Sequence, residues 1–191
     1  MAFMAENPPE VGELFFGRSG GDEPVANYVA RLDGTQYWQL SGPIVILDGY
    51  EVGLTFVNTE SGSNSYLLCA NDDLSTGVFT SSSSGFLLTT GTPMTLDVDG
   101  NGSEVVTYDG NIHEVTVDVF GAGAFQKLCT RFSEERMLIG WIKNLVVRDT
   151  LGNVVNEIPL TNKSQGATQI ATVGAVNATM VGYNADVWEL V

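Results

Sequence analysis

Alternating apolar and polar positions recur along the chain and predict β-strands. The alternation is cleanest in two segments, 50–57 and 112–120, where nearly every second residue is apolar. Residues of one parity would face a core and the others solvent, as in a half-buried antiparallel strand. Four shorter apolar segments are separated by turns rich in Gly, Ser and Asp: 66–70, 78–80, 86–90 and 94–98. This spacing, with almost no helical periodicity, predicts an all-β sandwich.

The densest strand signal lies in the segment 138–160, which we interpret as a β-hairpin. Three of its apolar residues are expected on one buried face: Ile142, Leu145 and Val147. The first two have opposite parity on a regular strand, so a β-bulge near residues 143–144 is needed to restore the alternation. The Asp, Gly and Asn residues of 149–153 are typical of a hairpin loop, and Pro159 ends the return strand because it has no N–H to donate.

Two further turns are predicted from their glycines. Asp33-Gly34 lies between the apolar segments 25–32 and 36–40, which favours a hairpin there. The sequence Asp97-Val98-Asp99-Gly100-Asn101-Gly102 follows the segment 94–98 and precedes an apolar segment at 105–108. A hairpin turn between two strands is therefore one interpretation of this loop.

The order Gly140, Ile142, Leu145 and Val147, followed by a return strand that ends in Pro-Leu, resembles concanavalin A-like jelly rolls, specifically the laminin-G-like branch. The C-terminal segment, with Trp188 near its end, is similar to that of laminin-G-like domains in tailed-bacteriophage structural proteins. The resemblance implies a two-sheet antiparallel jelly-roll sandwich over residues 25–191, preceded by an N-terminal arm, 1–24. The aromatic residues of the arm need cover, on its own domain or on a neighbouring subunit.

The function that this resemblance implies is structural and non-enzymatic. We expect a virion protein, in capsid decoration or in the tail, whose partners are copies of itself and other virion proteins. The alternative is a lectin-like, carbohydrate-binding module that recognises glycans on the host surface. Glucanase relatives would carry a Glu-x-Asp-x-Glu strand motif that places two carboxylates on one face, and the sequence contains no such spacing.

The charge distribution narrows the class of partner. The 191-residue chain has a net charge of −15, and the segment 33–126 contains twelve acidic residues without a Lys or Arg. Such a surface repels phosphate backbones and anionic lipid surfaces, so we expect no nucleic-acid partner. No apolar run approaches the about 20 residues that cross a bilayer, so we expect no membrane insertion. The acidity would suit basic partners or divalent cations, or would simply maintain solubility.

Calcium is the one cofactor that the sequence suggests. Asp97, Asp99 and Asn101 place three oxygen-bearing side chains at alternate positions in a glycine-rich loop, which suits a hard cation. The twelfth position, where an EF-hand has a bidentate acid, is Tyr108. The motif is therefore incomplete, and the hairpin-turn interpretation stays open beside it. A weaker second candidate is the acidic segment 71–73.

Aromatic residues are the candidate sugar-stacking platforms: Trp38, Trp141, Tyr183 and Trp188. Each also suits a core position, since Trp38 shares a predicted strand with Leu40 and Trp141 lies inside the hairpin segment. His113, the only histidine, opens a predicted strand, where we expect a structural role. Cys69 and Cys129 lie in strand-like runs that suit small buried hydrophobes, and a disulfide between them is left open.

Overall fold

A computed structural model describes residues 27–61, 63–70, 76–131 and 133–191. These residues contain fifteen strands and two short 3-10 helices, Lys163–Gln165 and Ala185–Val187. The strands are β1 (Tyr28–Ala30), β2 (Leu32–Asp33), β3 (Tyr37–Ile46), β4 (Glu51–Asn58), β5 (Ser65–Cys69), β6 (Thr76–Thr80), β7 (Leu87–Gly91), β8 (Met94–Val98), β9 (His113–Val119), β10 (Gly123–Leu128), β11 (Ile139–Arg148), β12 (Val154–Ile158), β13 (Thr168–Gln169), β14 (Ala178–Val181) and β15 (Trp188–Leu190). The predicted arm, 1–24, and the acidic segment 71–73 lie outside the described residues.

The strands form two antiparallel sheets that pack as a sandwich, which confirms the predicted fold class. The seven-stranded sheet has the order β13-β14-β3-β10-β5-β6-β7. The six-stranded sheet has the order β12-β11-β4-β9-β8, and β2 also pairs with β11. A separate two-stranded ribbon joins β1 to β15 and so brings the first and last described strands together. No helix in the described part of the chain is long and apolar enough to cross a membrane.

The core lies between the sheets and follows the predicted alternation. In β4 and β9 the buried apolar residues alternate with more exposed ones: Val52, Leu54, Phe56, Val115, Val117 and Val119. These side chains join one cluster with the inward residues of the other sheet, among them Trp38 and Phe125. Full burial of such a side chain contributes about 1.5–3 kcal/mol. The cluster therefore holds the two sheets face to face.

The predicted hairpin at 138–160 is confirmed as β11 and β12, including its bulge. The pairing of β11 with β4 shifts register between Lys143 and Val146. Asn144 adopts a φ of 56°, and its N–H donates to the carbonyl oxygen of Pro159 at 2.9 Å. The shift brings Ile142 and Leu145 to the same buried face. A regular strand would have placed them on opposite faces.

Gly140, the second residue of β11, lies where the backbone requires a glycine. Its φ is 147°, and a Cβ built there would collide with the carbonyl oxygen of Val57 on the neighbouring strand β4. Only glycine allows the two backbones to approach so closely. The glycine in the family-like pattern is therefore required by the packing of β11 on β4.

Two sequence predictions are wrong in their strand partners. Asp33-Gly34 does turn the chain, but β2 pairs with β11 while β3 pairs with β10 and β14, so the turn passes between sheets and forms no hairpin. Residues 105–108 form no strand, and β8 pairs instead with β9. Thr107 is buried there, and both its N–H and its hydroxyl donate to the carbonyl oxygen of Gly85. These two hydrogen bonds stand in place of the strand pairing that the sequence predicts for 105–108.

Candidate functional site

The loop predicted to bind calcium is a turn that closes on its own hydrogen bonds. The Asp97 carboxylate accepts the N–H of Gly102 at 2.7 Å, and the Asn101 side-chain amide donates to the carbonyl oxygen of Asp99 at 2.8 Å. Within the described ranges, no group of three or more His, Cys, Asp or Glu residues is arranged to hold a metal ion. The hydrogen bonds of the turn therefore account for the positions of these side chains without a cation. Calcium binding stays a prediction.

His113 sits between two carboxylates. Its Nδ1 lies 2.7 Å from an oxygen of Asp99, and its Nε2 lies 3.0 Å from an oxygen of Asp109. The other oxygen of Asp99 accepts the backbone N–H of Glu114 at 2.8 Å. Only 6% of the histidine side chain is exposed, against 34% and 35% for the carboxylates of Asp99 and Asp109. The imidazole therefore fastens both ends of the long β8–β9 loop to the start of β9.

The pKa values in this cluster move in the directions expected for an ion pair. Burial disfavours the imidazolium, but the hydrogen bonds to Asp99 and Asp109 outweigh burial and raise the pKa of His113. Burial opposes ionisation of Asp109 as well, yet hydrogen bonds from Asn111 and His113 lower its pKa to about 2. Because both ring nitrogens face carboxylates, neither can take a proton from a nucleophile. The cluster is suited to holding the loop.

The predicted sugar-stacking tryptophans are buried. Trp38, Trp141 and Trp188 are only 1%, 3% and 7% exposed. Trp141 packs in a small cluster with Val29, and the Trp188 indole donates to the Tyr183 hydroxyl at 3.3 Å. None of the three indoles therefore offers an open face to a sugar ring. Tyr183 lies at the surface, and its contact with a glycan stays a prediction.

A groove of about 400 Å³ opens where the start of β1 meets the chain that follows β12. Asn27 and Tyr28 form one wall, and residues 161–165 form another. Gln169, Ile170 and Thr172 complete the lining together with Pro159. Most of the lining residues carry a hydroxyl or amide group, although apolar atoms make up most of the accessible lining. The volume lies within the about 300–1,000 Å³ of small-molecule sites. None of the candidate sugar-binding or metal-ligating residues from the sequence lines this groove.

Hydrogen bonds fix the loop that forms the second wall. Gln169 is 1% exposed, and its side-chain oxygen accepts the N–H of Asn162 at 2.9 Å. The same side chain donates to the carbonyl oxygens of Asn162 and Gly166, at 2.9 and 3.1 Å. The Gln165 side-chain oxygen accepts the N–H of Ile170 at 2.8 Å. The buried side-chain amide of Gln169 thus fixes the conformation of the loop, so that the groove is formed before a ligand binds.

One charged side chain stands in the groove. The Lys163 ammonium lies 4.8 Å from the centroid of the Tyr28 ring, within cation–π range. It is the only Lys, Arg, Asp or Glu among the residues that line the groove. The carboxylate of Glu157 lies outside the lining but accepts the hydroxyl of the lining residue Thr172 at 2.6 Å.

The solvent face of the six-stranded sheet carries acidic side chains on β9 and basic side chains on β11. Glu114 and Asp118 stand on β9, and Lys143 and Arg148 stand on β11. β4 separates these strands, with Glu51 beside Arg148 at 3.5 Å. A shallow trough of about 380 Å³ runs over the middle of β4. We call this surface the charged sheet face.

Comparison with known proteins found no matching family model, no similar curated protein and no similar solved structure. What the structure itself establishes is an all-β protein with two antiparallel sheets in a sandwich. The finer likeness to laminin-G-like phage domains rests on the sequence pattern alone. The groove has a weak sequence signal of its own, the density of Asn, Gln, Ser and Thr in 161–172, which a search for tryptophans overlooks.

Proposed function

We propose that this chain is a non-enzymatic structural protein of a tailed-bacteriophage particle, in capsid decoration or in the tail. Its partners would be copies of itself and neighbouring virion proteins. The sequence resemblance supports this proposal, and the residues that carry it form a bulged hairpin with Ile142 and Leu145 on one buried face. The proposal needs a surface through which copies can associate.

The charged sheet face is the observation that supports association between copies of the chain. The strand order β12-β11-β4-β9-β8 has β4 at its centre. A two-fold axis parallel to β4 would therefore lay β9 of one copy over β11 of a second copy. Asp118 would face Arg148, since both stand beside Glu51, and Glu114 would face Lys143, since both stand beside Thr55. Each of these two contacts would occur twice. The same axis would bring the two copies of Glu51 together and place Glu157 over Asp97, so the attraction comes from β9 and β11 alone.

The size of this face is adequate for a specific dimer. Five strands about 4.8 Å apart give a width of about 24 Å, and the eight residues of β4 give a length of about 27 Å. The product is about 650 Å² per copy, or about 1,300 Å² in total, above the about 1,000 Å² expected of a specific interface. Opposed charges would set the register of the two copies.

Two measurements test the proposal at its two levels. Mass spectrometry and immunogold imaging of density-banded particles should detect the chain as a particle component. Sedimentation velocity of the purified full chain should show a dimer whose fraction rises with protein concentration. A chain that is absent from particles and remains monomeric at every concentration would contradict it.

A second candidate function, glycan adhesion, is favoured by the groove. Its walls carry hydroxyl and amide groups on a loop fixed by Gln169, which suits a polyhydroxylated ligand. The two functions are compatible, because an external virion protein can also adhere to host glycans. A glycan array, read with and without a calcium chelator, tests adhesion separately from assembly.

A further inference from the structure

We propose that the groove beside Tyr28 binds a saccharide unit that carries one carboxylate, with Lys163 as the group that recognises the acid. This inference rests on the second candidate function and names its ligand class.

The charge balance of the groove points to a single acidic group. Lys163 is the only ionised side chain among the lining residues, and the chain as a whole has a net charge of −15. The ammonium favours an anion, whereas the carboxylate of Glu157, which accepts the hydroxyl of the lining residue Thr172 at 2.6 Å, disfavours a second negative charge. A polyanion would also meet the surrounding acidic surface, since charges within about 8 Å are only partly screened at physiological salt. One negative charge per bound unit fits both conditions.

Lys163 is held in position before the ligand binds. Its ammonium lies 4.8 Å from the Tyr28 ring centroid, and its backbone belongs to the 3-10 helix that Asn162 caps. A free lysine side chain loses rotamer entropy when it is fixed. The Tyr28 ring removes part of this cost, because the side chain already rests against it. The contact also leaves the ammonium N–H groups that point away from the ring for a carboxylate.

The remaining walls suit sugar hydroxyls. Sugar hydroxyls both donate and accept hydrogen bonds, and the amide of Asn27 and the hydroxyl of Thr161 can complement both roles. Ile170 is half exposed and offers an apolar patch for the C–H groups of a pyranose. The buried Gln169 keeps the loop in place while these contacts form. Recognition therefore combines one charge, several hydroxyl partners and one apolar contact.

The test compares an acidic sugar with its neutral counterpart on the full chain. D-glucuronate and D-glucose are titrated into ¹⁵N-labelled protein and followed by amide chemical shifts and saturation transfer. We expect glucuronate to shift the amides of 161–172 and to bind more tightly than glucose. Lys163→Gln should weaken glucuronate binding about three- to tenfold, the range of a partly exposed charge-assisted contact, and leave glucose unchanged.

Lys143→Gln is the matched control. The Lys143 ammonium lies 5.3 Å from the Trp141 ring centroid, so this variant removes a similar lysine–aromatic pair outside the groove. Because Lys143 also belongs to the charged sheet face, the oligomeric state of this variant is recorded by sedimentation velocity. At a matched oligomeric state it should bind glucuronate like the parent chain. Both lysines are at the surface, and matching thermal melts verify that the variants fold.

Three results would overturn the inference. Equal affinity for glucose and glucuronate would refute acid recognition and leave glycan adhesion standing. Unchanged glucuronate binding in Lys163→Gln would refute the role of that residue. The absence of any shift in 161–172 with either sugar would refute the site, and a negative glycan array beside it would remove the adhesion candidate. Assembly of the virion protein is tested by sedimentation and is independent of all three.

Discussion

Replacing His113 by glutamine should remove the fastening of the β8–β9 loop and lower the free energy of unfolding. The parent side chain makes two hydrogen bonds to ionised groups, each worth about 1.5–3 kcal/mol, so their sum sets an upper bound of about 3–6 kcal/mol. Both carboxylates are about one third exposed and regain water, and glutamine can still donate one bond. We therefore expect a loss of about 2 kcal/mol.

The loss should depend on pH in a defined direction. The folded-state pKa of His113 is raised, so its stabilisation is fully present below the unfolded value of 6.5 and is lost as pH rises through the folded pKa. The folded-state pKa of Asp109 is lowered to about 2, so its stabilisation is present above 3.8 and is lost as pH falls towards 2. The difference between parent and variant should therefore be largest between about pH 4 and 6.5.

Urea unfolding at a series of pH values measures this difference. At a slope of about 2 kcal/mol per molar urea, a loss of 2 kcal/mol moves the midpoint by about 1 M. His113 is the only histidine, so its Hε1 resonance reports its pKa directly. Asp109→Asn removes one carboxylate with little change of shape and should lower that pKa. A histidine that titrates at or below 6.5, or a variant with the parent's pH profile, would refute the reasoning.

Three other predictions concern assembly, the sheet and the groove. Asp118→Arg should raise the dimer dissociation constant measured by sedimentation velocity at low salt. The double variant with Arg148→Asp should restore the parent value, because the exchanged charges attract again. A double variant that does not recover would argue against the two-fold arrangement. Gly140→Ala should lower the free energy of unfolding in urea by about 3 kcal/mol or more, since the new Cβ meets a backbone carbonyl of β4. Gly152→Ala, where the Cβ meets open space, should lower it by only about 1 kcal/mol. Equal losses would contradict this reasoning. Gln169→Ala should leave buried backbone groups unpaired and speed amide exchange in 161–170, and unchanged exchange would show that the loop is held otherwise.

The fold class was predictable because burial on one face imposes a period of two that survives in the sequence. β4 and β9 show it directly, and the parity conflict between Ile142 and Leu145 even located the bulge of β11. Both signals are local, since a strand records which of its faces is buried. The identity of its neighbours leaves no comparable mark.

Strand partners were for that reason harder to predict. Asp33-Gly34 has the composition of a hairpin turn, and the turn forms, but its two strands continue in different sheets. The segment 105–108 is apolar enough for a strand, yet Thr107 bonds to Gly85 across the end of the sandwich. In both places the local chemistry is satisfied equally well by either arrangement. The packing of distant strands decides between them.

The two candidate sites, the His113 cluster and the groove, show the same difference between local and long-range signals. Asp99 and His113 were each visible in the sequence, one as a calcium ligand and the other as a structural histidine, but their 2.7 Å contact depends on the register of β8 against β9. The groove depends on a longer-range event, the pairing of β1 with β15, which brings Tyr28 beside residues more than 130 positions later. A motif search weighs residues that are close in sequence. A site built by joining the first and last described strands therefore forms only when the sheets are assembled, and its Lys163–Tyr28 pair is the part that a single substitution can test.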